Sequence, residues 1–216
     1  MKTFVSFLLG LMCFLYQHSL AQSDGTLDHG FQSGISSNQN ITCIVTQTDD
    51  KILVGGSFTT YNGISRNKIA RLNSDGSLDF TFNPGTGFDG GVTSIAIQPD
   101  GKILVVGQFN SYNGIQKRNI ARLNPNGSLD PTFNFTAFTV VYAIKILQNG
   151  KILVGGNSPS SGAFARLNSD GSIDLSSQNL FGIADVIYSI SVQADGKYVI
   201  GGADLGNLNG ILRINP

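Results

Sequence analysis

Four aspartates, Asp28, Asp79, Asp130 and Asp174, and four arginines, Arg71, Arg122, Arg166 and Arg213, recur at near-regular spacing and are the first residues equipped for chemistry. Two readings of them compete. On neighbouring strands they form repeated ion pairs, with the arginine stems packed between layers and the heads partly wet. Gathered on one surface they form a ligand-binding ring, although identical residues in every copy serve the repeat better than one asymmetric ligand. The pattern Asn-x-Asp/Asn-Gly-x-x-Asp at 73–79, 124–130 and 168–174 sets oxygens at odd spacing, as a calcium loop does. It lacks a bidentate glutamate, carries Asn126 where an aspartate belongs, and falls where a hairpin must turn. The turn reading is preferred, and no cofactor or metal is expected.

Catalytic constellations lack parts. Beyond residue 21 the chain has a single histidine, His29, and a single cysteine, Cys43, inside the apolar run Ile41–Val45 where an inert thiol is the simpler reading. Zinc, Cys-His and Ser-His-Asp chemistry therefore have no set of residues to use. Glycosidase chemistry needs two facing carboxylates, and Asp89, Asp185 and Asp204 are the acids outside the repeated turns. Nothing in their spacing brings them together. A non-enzyme is expected; the alternative is a glycan-active enzyme, a glycosidase or lyase, built on the same scaffold.

The elements behind these residues show first in composition. All 14 acidic residues are aspartate, with no glutamate, beside 27 glycines in 216 residues. Aspartate and glycine favour turns, and the absence of glutamate removes a good helix former. Fourteen basic residues balance the acids, so no electrostatic case exists for nucleic acid or an anionic membrane. Apolar content of 41% supports a real core.

The first 21 residues read as a signal peptide. Lys2 gives a positive start, Phe4 to Tyr16 is an apolar run, and Ser19-Leu20-Ala21 precedes cleavage near Ala21–Gln22. The run is shorter than the ~20 residues of a membrane span, so no transmembrane segment is expected. Met12 before Cys13 and the apolar Phe14-Leu15 after it argue against lipidation. Export to a secreted, periplasmic or extracellular location follows.

From residue 22 to 216 the sequence repeats. Lys51-Ile-Leu-Val-Gly-Gly56 recurs from Lys102, Lys151 and Lys197, at spacings of 51, 49 and 46 residues. The Arg-(Leu/Ile)-Asn anchor at Arg71, Arg122, Arg166 and Arg213 keeps step, at spacings of 51, 44 and 47. Each period divides into short strands separated by turn signals; in the second copy these are Val92–Gln98, Lys102–Phe109, Asn119–Asn124 and Ser128–Phe133. Four strands every ~40–50 residues is the pattern of propeller blades. The expected fold is all-β: a propeller of about four four-stranded antiparallel blades, with repeats over 41–82, 92–133 and 140–176, and a last one from 186–216 with 22–31. Ser23-Asp24-Gly25-Thr26-Leu27-Asp28 matches Ser74–Asp79, so residues 26–31 are expected to pair with the last blade and close the ring.

The motifs Gln98-Pro-Asp-Gly-Lys-Ile-Leu-Val-Val-Gly-Gln-Phe109 and Ala121-Arg-Leu-Asn-Pro-Asn-Gly-Ser-Leu-Asp-Pro-Thr-Phe133 resemble the delta-60 repeat family of bacterial β-propeller proteins across residues 22–216. The resemblance implies a secreted or envelope-associated propeller and assigns no general activity. The third copy departs from the pattern, with Ser176-Ser177 in place of Thr-Phe and no Tyr-Asn-Gly loop.

In such a blade the first-to-second and third-to-fourth turns share one end. The other end carries the longer second-to-third loops (58–67, 109–118, 157–162, 203–209) and the inter-blade links (83–91, 134–139, 176–185), which differ between copies and therefore suit recognition. There the candidate ligand-binding residues are Tyr61, Arg66, Phe88, Asp89, Tyr112 and Arg118. Phe58 and Phe109 read as core, and Tyr61 and Tyr112 also suit a stapling role before their Asn-Gly steps. The expected function is a non-catalytic binding or protein-interaction module for a protein or glycan. A further alternative is a half-ring that pairs as a homodimer into eight blades.

Overall fold

The computed structural model describes residues 27–31, 40–135, 139–158, 162–176, 186–203 and 210–216. The expected signal segment, Asp185 and Asp204 lie outside the described residues. Within them the regular elements are strands, apart from a 3-10 turn at 175–176. The first copy contains β1 (Ile41–Thr46), β2 (Ile52–Gly56), β3 (Thr60–Tyr61), β4 (Ile64–Ser65) and β5 (Ile69–Leu72). The second contains β6 (Gly91–Ile97), β7 (Ile103–Gln108), β8 (Ser111–Tyr112), β9 (Ile115–Gln116) and β10 (Ile120–Leu123). The third has β11 (Val140–Ile146), β12 (Ile152–Asn157) and β13 (Phe164–Leu167), and the last β14 (Val186–Val192), β15 (Tyr198–Ala203) and β16 (Ile211–Ile214).

Each copy makes an antiparallel sheet with the Lys-Ile-Leu-Val strand in the middle: β1-β2-β5, β6-β7-β10, β11-β12-β13 and β14-β15-β16. A single bridge, Asn157 to Val186, joins the last two. The central strands are buried on both faces, which is why they read as unbroken apolar runs. In β7, Ile103 and Val105 pack towards the first sheet, while Leu104 and Val106 pack towards the third. In β12, Ile152 and Val154 face the second sheet and Leu153 faces the last. The core is thus a series of layers between successive sheets.

The strand expected over Ser128–Phe133 is reduced to one bridge, Leu123 to Leu129, and Leu72–Leu78 and Leu167–Ile173 repeat this. The reason is local. Asp130 turns inward and accepts from Thr132 N, which folds the backbone back on itself, and Phe133 drops into the layer between sheets. Residues 27–31 are likewise a turn, and Phe31 packs against the first sheet's Val54, Phe58 and Tyr61 cluster. Their expected pairing with the last sheet is not formed among the described residues.

The second glycine of each Gly-Gly anchor has a steric cause. A Cβ on Gly56, Gly107, Gly156 or Gly202 would lie 2.1, 2.1, 2.0 or 2.0 Å from a backbone carbonyl oxygen of the crossing first strand. Beside each crossing that strand bulges, at Thr42, Thr93, Tyr142 and Tyr188.

The hairpin turns pair an i to i+3 hydrogen bond with one left-handed glycine, as in Gly101 N to Gln98 O at 2.9 Å with φ of 81°. In the first copy Asp50 stands in this glycine's place at φ of 61°. Asp50→Gly should therefore raise stability by about 0.5–1 kcal/mol, and Gly107→Ala should lower it by about 3 kcal/mol, both read from urea unfolding midpoints.

Candidate functional site

In each of the first three sheets one aspartate collects two cations. Asp79 Oδ2 lies 2.7 Å from Arg71 Nε and 2.9 Å from Lys51 Nζ. Asp130 Oδ2 holds Arg122 and Lys102, each at 2.8 Å, and Asp174 Oδ2 holds Arg166 at 2.7 Å and Lys151 at 2.5 Å. Each Oδ1 accepts the backbone N–H and hydroxyl two residues on, from Thr81, Thr132 or Ser176. Burial works to raise the Asp79 and Asp130 carboxyls. Hydrogen bonds from Thr81, Lys51 and Arg71 at the first, and from Lys102 and Thr132 at the second, overcome it and hold both far below the usual carboxylate range. At Asp174 the Lys151 bond is the largest influence and lowers the carboxyl likewise.

The arginines also tie sheet to sheet. Arg71 Nη1 donates to Pro125 O at 2.6 Å and Arg122 Nη1 to Ser169 O at 2.7 Å, each acceptor lying in the next sheet's turn. Arg71 and Arg122 lie 5.1 and 5.0 Å from the Phe82 and Phe133 ring centroids. These residues form the ion-paired frame rather than a ligand ring. Within the Asn-x-Asp-Gly pattern Asp75 Oδ1 accepts from Ser77 N and Oγ, and Asp170 Oδ1 from the same atoms of Ser172, bonds that shape the hairpin turn.

The loop residues expected to bind a ligand divide sharply. Tyr61, Phe88 and Tyr112 are buried, at 1, 2 and 1% exposure. Tyr61 and Tyr112 sit in the small hairpins β3–β4 and β8–β9, and their hydroxyls donate to Gly76 O and Gly127 O, stapling each hairpin to its sheet's third-to-fourth turn. Phe88 lies 4.4 Å from Phe109 and 4.5 Å from Tyr112 between ring centroids. Phe58 and Phe109 are core, as expected. Asp89 is exposed, but its carboxylate accepts from Asn110 N, Ser111 N and Ser111 Oγ, and so caps the hairpin. Burial there works to raise the carboxyl, and the backbone bonds outweigh it and lower it. Arg66 is half-buried over Phe80 at 5.9 Å, while Arg118 is exposed beside a 370 Å³ hollow lined with Lys117, Phe133, Asn134 and Phe135. Burial lifts the Cys43 thiol to about 11, in keeping with an inert side chain.

A second cluster was missed by sequence reasoning. At the bulges of the first strands, Thr42 Oγ1 donates to Val92 O at 2.5 Å and Thr93 Oγ1 to Val141 O at 2.9 Å, joining each first strand to the next. At the same register the third and fourth copies carry Tyr142 and Tyr188, whose ring centroids are 5.2 Å apart. Tyr188 is 57% exposed. The available signal was the switch from threonine to tyrosine at equivalent positions. These two bulges lie opposite Gly155–Gly156 and Gly201–Gly202, at the end of each central strand where the second-to-third connection begins.

Residues 47–82, 98–133, 147–176 and 193–216 match a family model described as Domain of unknown function (DUF5122) beta-propeller. No curated protein matches the chain. Among solved structures the chain is similar to the WD40 beta propeller domain of Doa1, at 19% identity over 82% of this chain and 50% of that one, with a TM-score of 0.55. It is similar to the extracellular domain of BT4673 from B. thetaiotaomicron, at 16% over 86% and 22%, with a TM-score of 0.56. Virginiamycin B lyase from Staphylococcus aureus gives 18% over 83% and 54%, with a TM-score of 0.57. The likeness is one of fold, and the chain spans about half, or less, of the length of these matches.

Two outcomes test the frame. Arg122→Ala should destabilise by about 3 kcal/mol, since it strips a buried carboxylate of one partner. Because Asp79, Asp130 and Asp174 are depressed in the fold, the folded chain binds fewer protons than the unfolded one. Their stabilisation is complete above the unfolded carboxylate pKa of ~4 and is lost as pH falls below it. Melting temperatures should drop below about pH 4, and less steeply in Asp130→Asn.

Proposed function

Since the chain belongs to the DUF5122 beta-propeller family, we propose that it is an exported, non-catalytic propeller that binds a protein or glycan through its loop-rich side. The observation that carries this reading is the contrast between saturated repeated groups and the open aromatic pair. The repeated carboxylates and arginines of the first three sheets are spent on one another, whereas Tyr188 stands exposed beside Tyr142. An exposed tyrosine offers a flat apolar face and a polar tip, which suits stacking on a sugar ring or a peptide. Arg118, exposed after the β8–β9 hairpin, adds a charged donor.

Export is supported by the Lys2 to Ala21 leader pattern, and the similar domain of BT4673 is extracellular. No helix among the described residues is long and apolar enough to cross a membrane. The non-catalytic reading is supported by Asp89, whose carboxylate is occupied by hairpin N–H groups. In this reading the delta-60 designation describes the same four stretches, each chain supplies four blades, and the segment holding residues 27–31 is the ring-closing piece.

The exported chain should retain a glycan or peptide from a binding panel. Tyr188→Ala should weaken that binding about tenfold while leaving the circular dichroism unchanged. Turnover of a glycoside or ester that disappears in Asp89→Ala would overturn the reading.

A further inference from the structure

The last sheet has an open face, and among the described residues its two cations lack the buried carboxylate that their counterparts share; a segment seated on the first sheet holds a residue that fits them. Ile69, Ile120 and Phe164, equivalent in the first three sheets, are 0, 3 and 0% exposed because the next sheet covers them. Their counterpart Ile211 is 62% exposed. Arg71, Arg122 and Arg166 each hold the carboxylate eight residues on, whereas Arg213 is exposed and makes no close ion pair among the described residues, acting only at longer range on Asp195. Lys197, whose counterparts Lys51, Lys102 and Lys151 bind that same carboxylate, makes among the described residues only an exposed pair with Asp195 of its own turn.

Asp28 is the missing acid by conformation as well as by register. Gly30 N donates to Asp28 Oδ1 at 2.8 Å and Phe31 N to Asp28 O at 3.3 Å. The same two bonds at Asp79, from Thr81 N and Phe82 N, are 2.9 and 3.4 Å. Phe31 packs on the first sheet's cluster as Phe82 packs on the second's. Residues 27–31 thus hold the shape of a preceding sheet's end, seated on the first sheet, with Asp28 meeting no cation among the described residues.

We infer that a second copy of this chain covers the open face of the last sheet, placing its Asp28 against Lys197 and Arg213 and its first sheet over Ile211. A two-fold pair makes this junction twice. Charge complementarity supports this occupant, and so does curvature. First strands touch in the series β1, β6, β11, β14. The chain overlays 82–83% of its length on only 50–54% of two longer chains, one of them a WD40 beta propeller. Four sheets that match about half of a longer chain suit a half-ring, and among the described residues Asp28 makes no ion pair with the chain's own Arg213. At the new junction the Arg213 guanidinium also meets the partner's turn carbonyl at Ser74, the position equivalent to Pro125 and Ser169, to which Arg71 and Arg122 donate. This inference concerns the scaffold and stands whether or not the ligand reading holds.

Light scattering of the full exported chain should give twice the chain mass. Asp28→Arg and Arg213→Asp, each alone, should raise the dimer dissociation constant on the order of a hundredfold while circular dichroism stays unchanged. Mixing the two variants should restore a dimer, because one junction is then charge-swapped and the other is unaltered. Ile211→Asp should also give monomers, which tests the apolar half of the contact by a different chemistry. A wild-type chain that stays monomeric overturns the inference, as does a dimer indifferent to all three substitutions or a mixture that fails to pair.

Discussion

A carboxylate removed from water must have its lone pairs filled, and the fold is arranged around doing so three times. Asp79, Asp130 and Asp174 are each at most 5% exposed and each takes two cations and two neighbouring donors. Removing a partner from such a site costs more than the pair is worth in isolation, because the charge left behind is stranded. The node therefore constrains everything near it: the lysine must begin the central strand, the arginine must lie on the third, and the chain must fold back at the aspartate. That fold-back ends the fourth strand after one bridge and sends Phe82 or Phe133 into the layer between sheets.

Much of this was legible in the residues because each anchor answers to a local cause. Lys-Ile-Leu-Val-Gly-Gly announces a doubly buried strand ending where another backbone crosses, and Asp-Gly or Asn-Gly announces a turn. The extent of the fourth strand was not legible, since Ser128–Phe133 has strand-like composition and only the side-chain bonds of Asp130 shorten it. Burial of Tyr61, Phe88 and Tyr112 was hidden for a related reason. A tyrosine before Asn-Gly looks displayed until its hydroxyl finds a carbonyl in a turn distant in sequence. The Tyr142–Tyr188 pair escaped notice because it depends on the register of two bulges, a property of strand pairing rather than of composition.

The division between repeated and unrepeated residues carries through to function. Repeated positions are occupied by the requirements of the repeat itself: pairing charges, admitting a crossing backbone, closing turns. What the scaffold leaves uncommitted lies where copies differ, in the hairpins, the links and the bulge register. Arg118, Tyr142 and Tyr188 belong to that set, and the rigid stack beneath them fixes their spacing.

The sheet-to-sheet arginine bond ends on a main-chain carbonyl, at Pro125 in one junction and Ser169 in the next. Any residue supplies that acceptor. A gene segment copied in tandem therefore brings its own half of the junction and finds the other half already present, with no second substitution required. Arrays assembled on this bond can lengthen by duplication and then diverge at their turns without losing the link that stacks them.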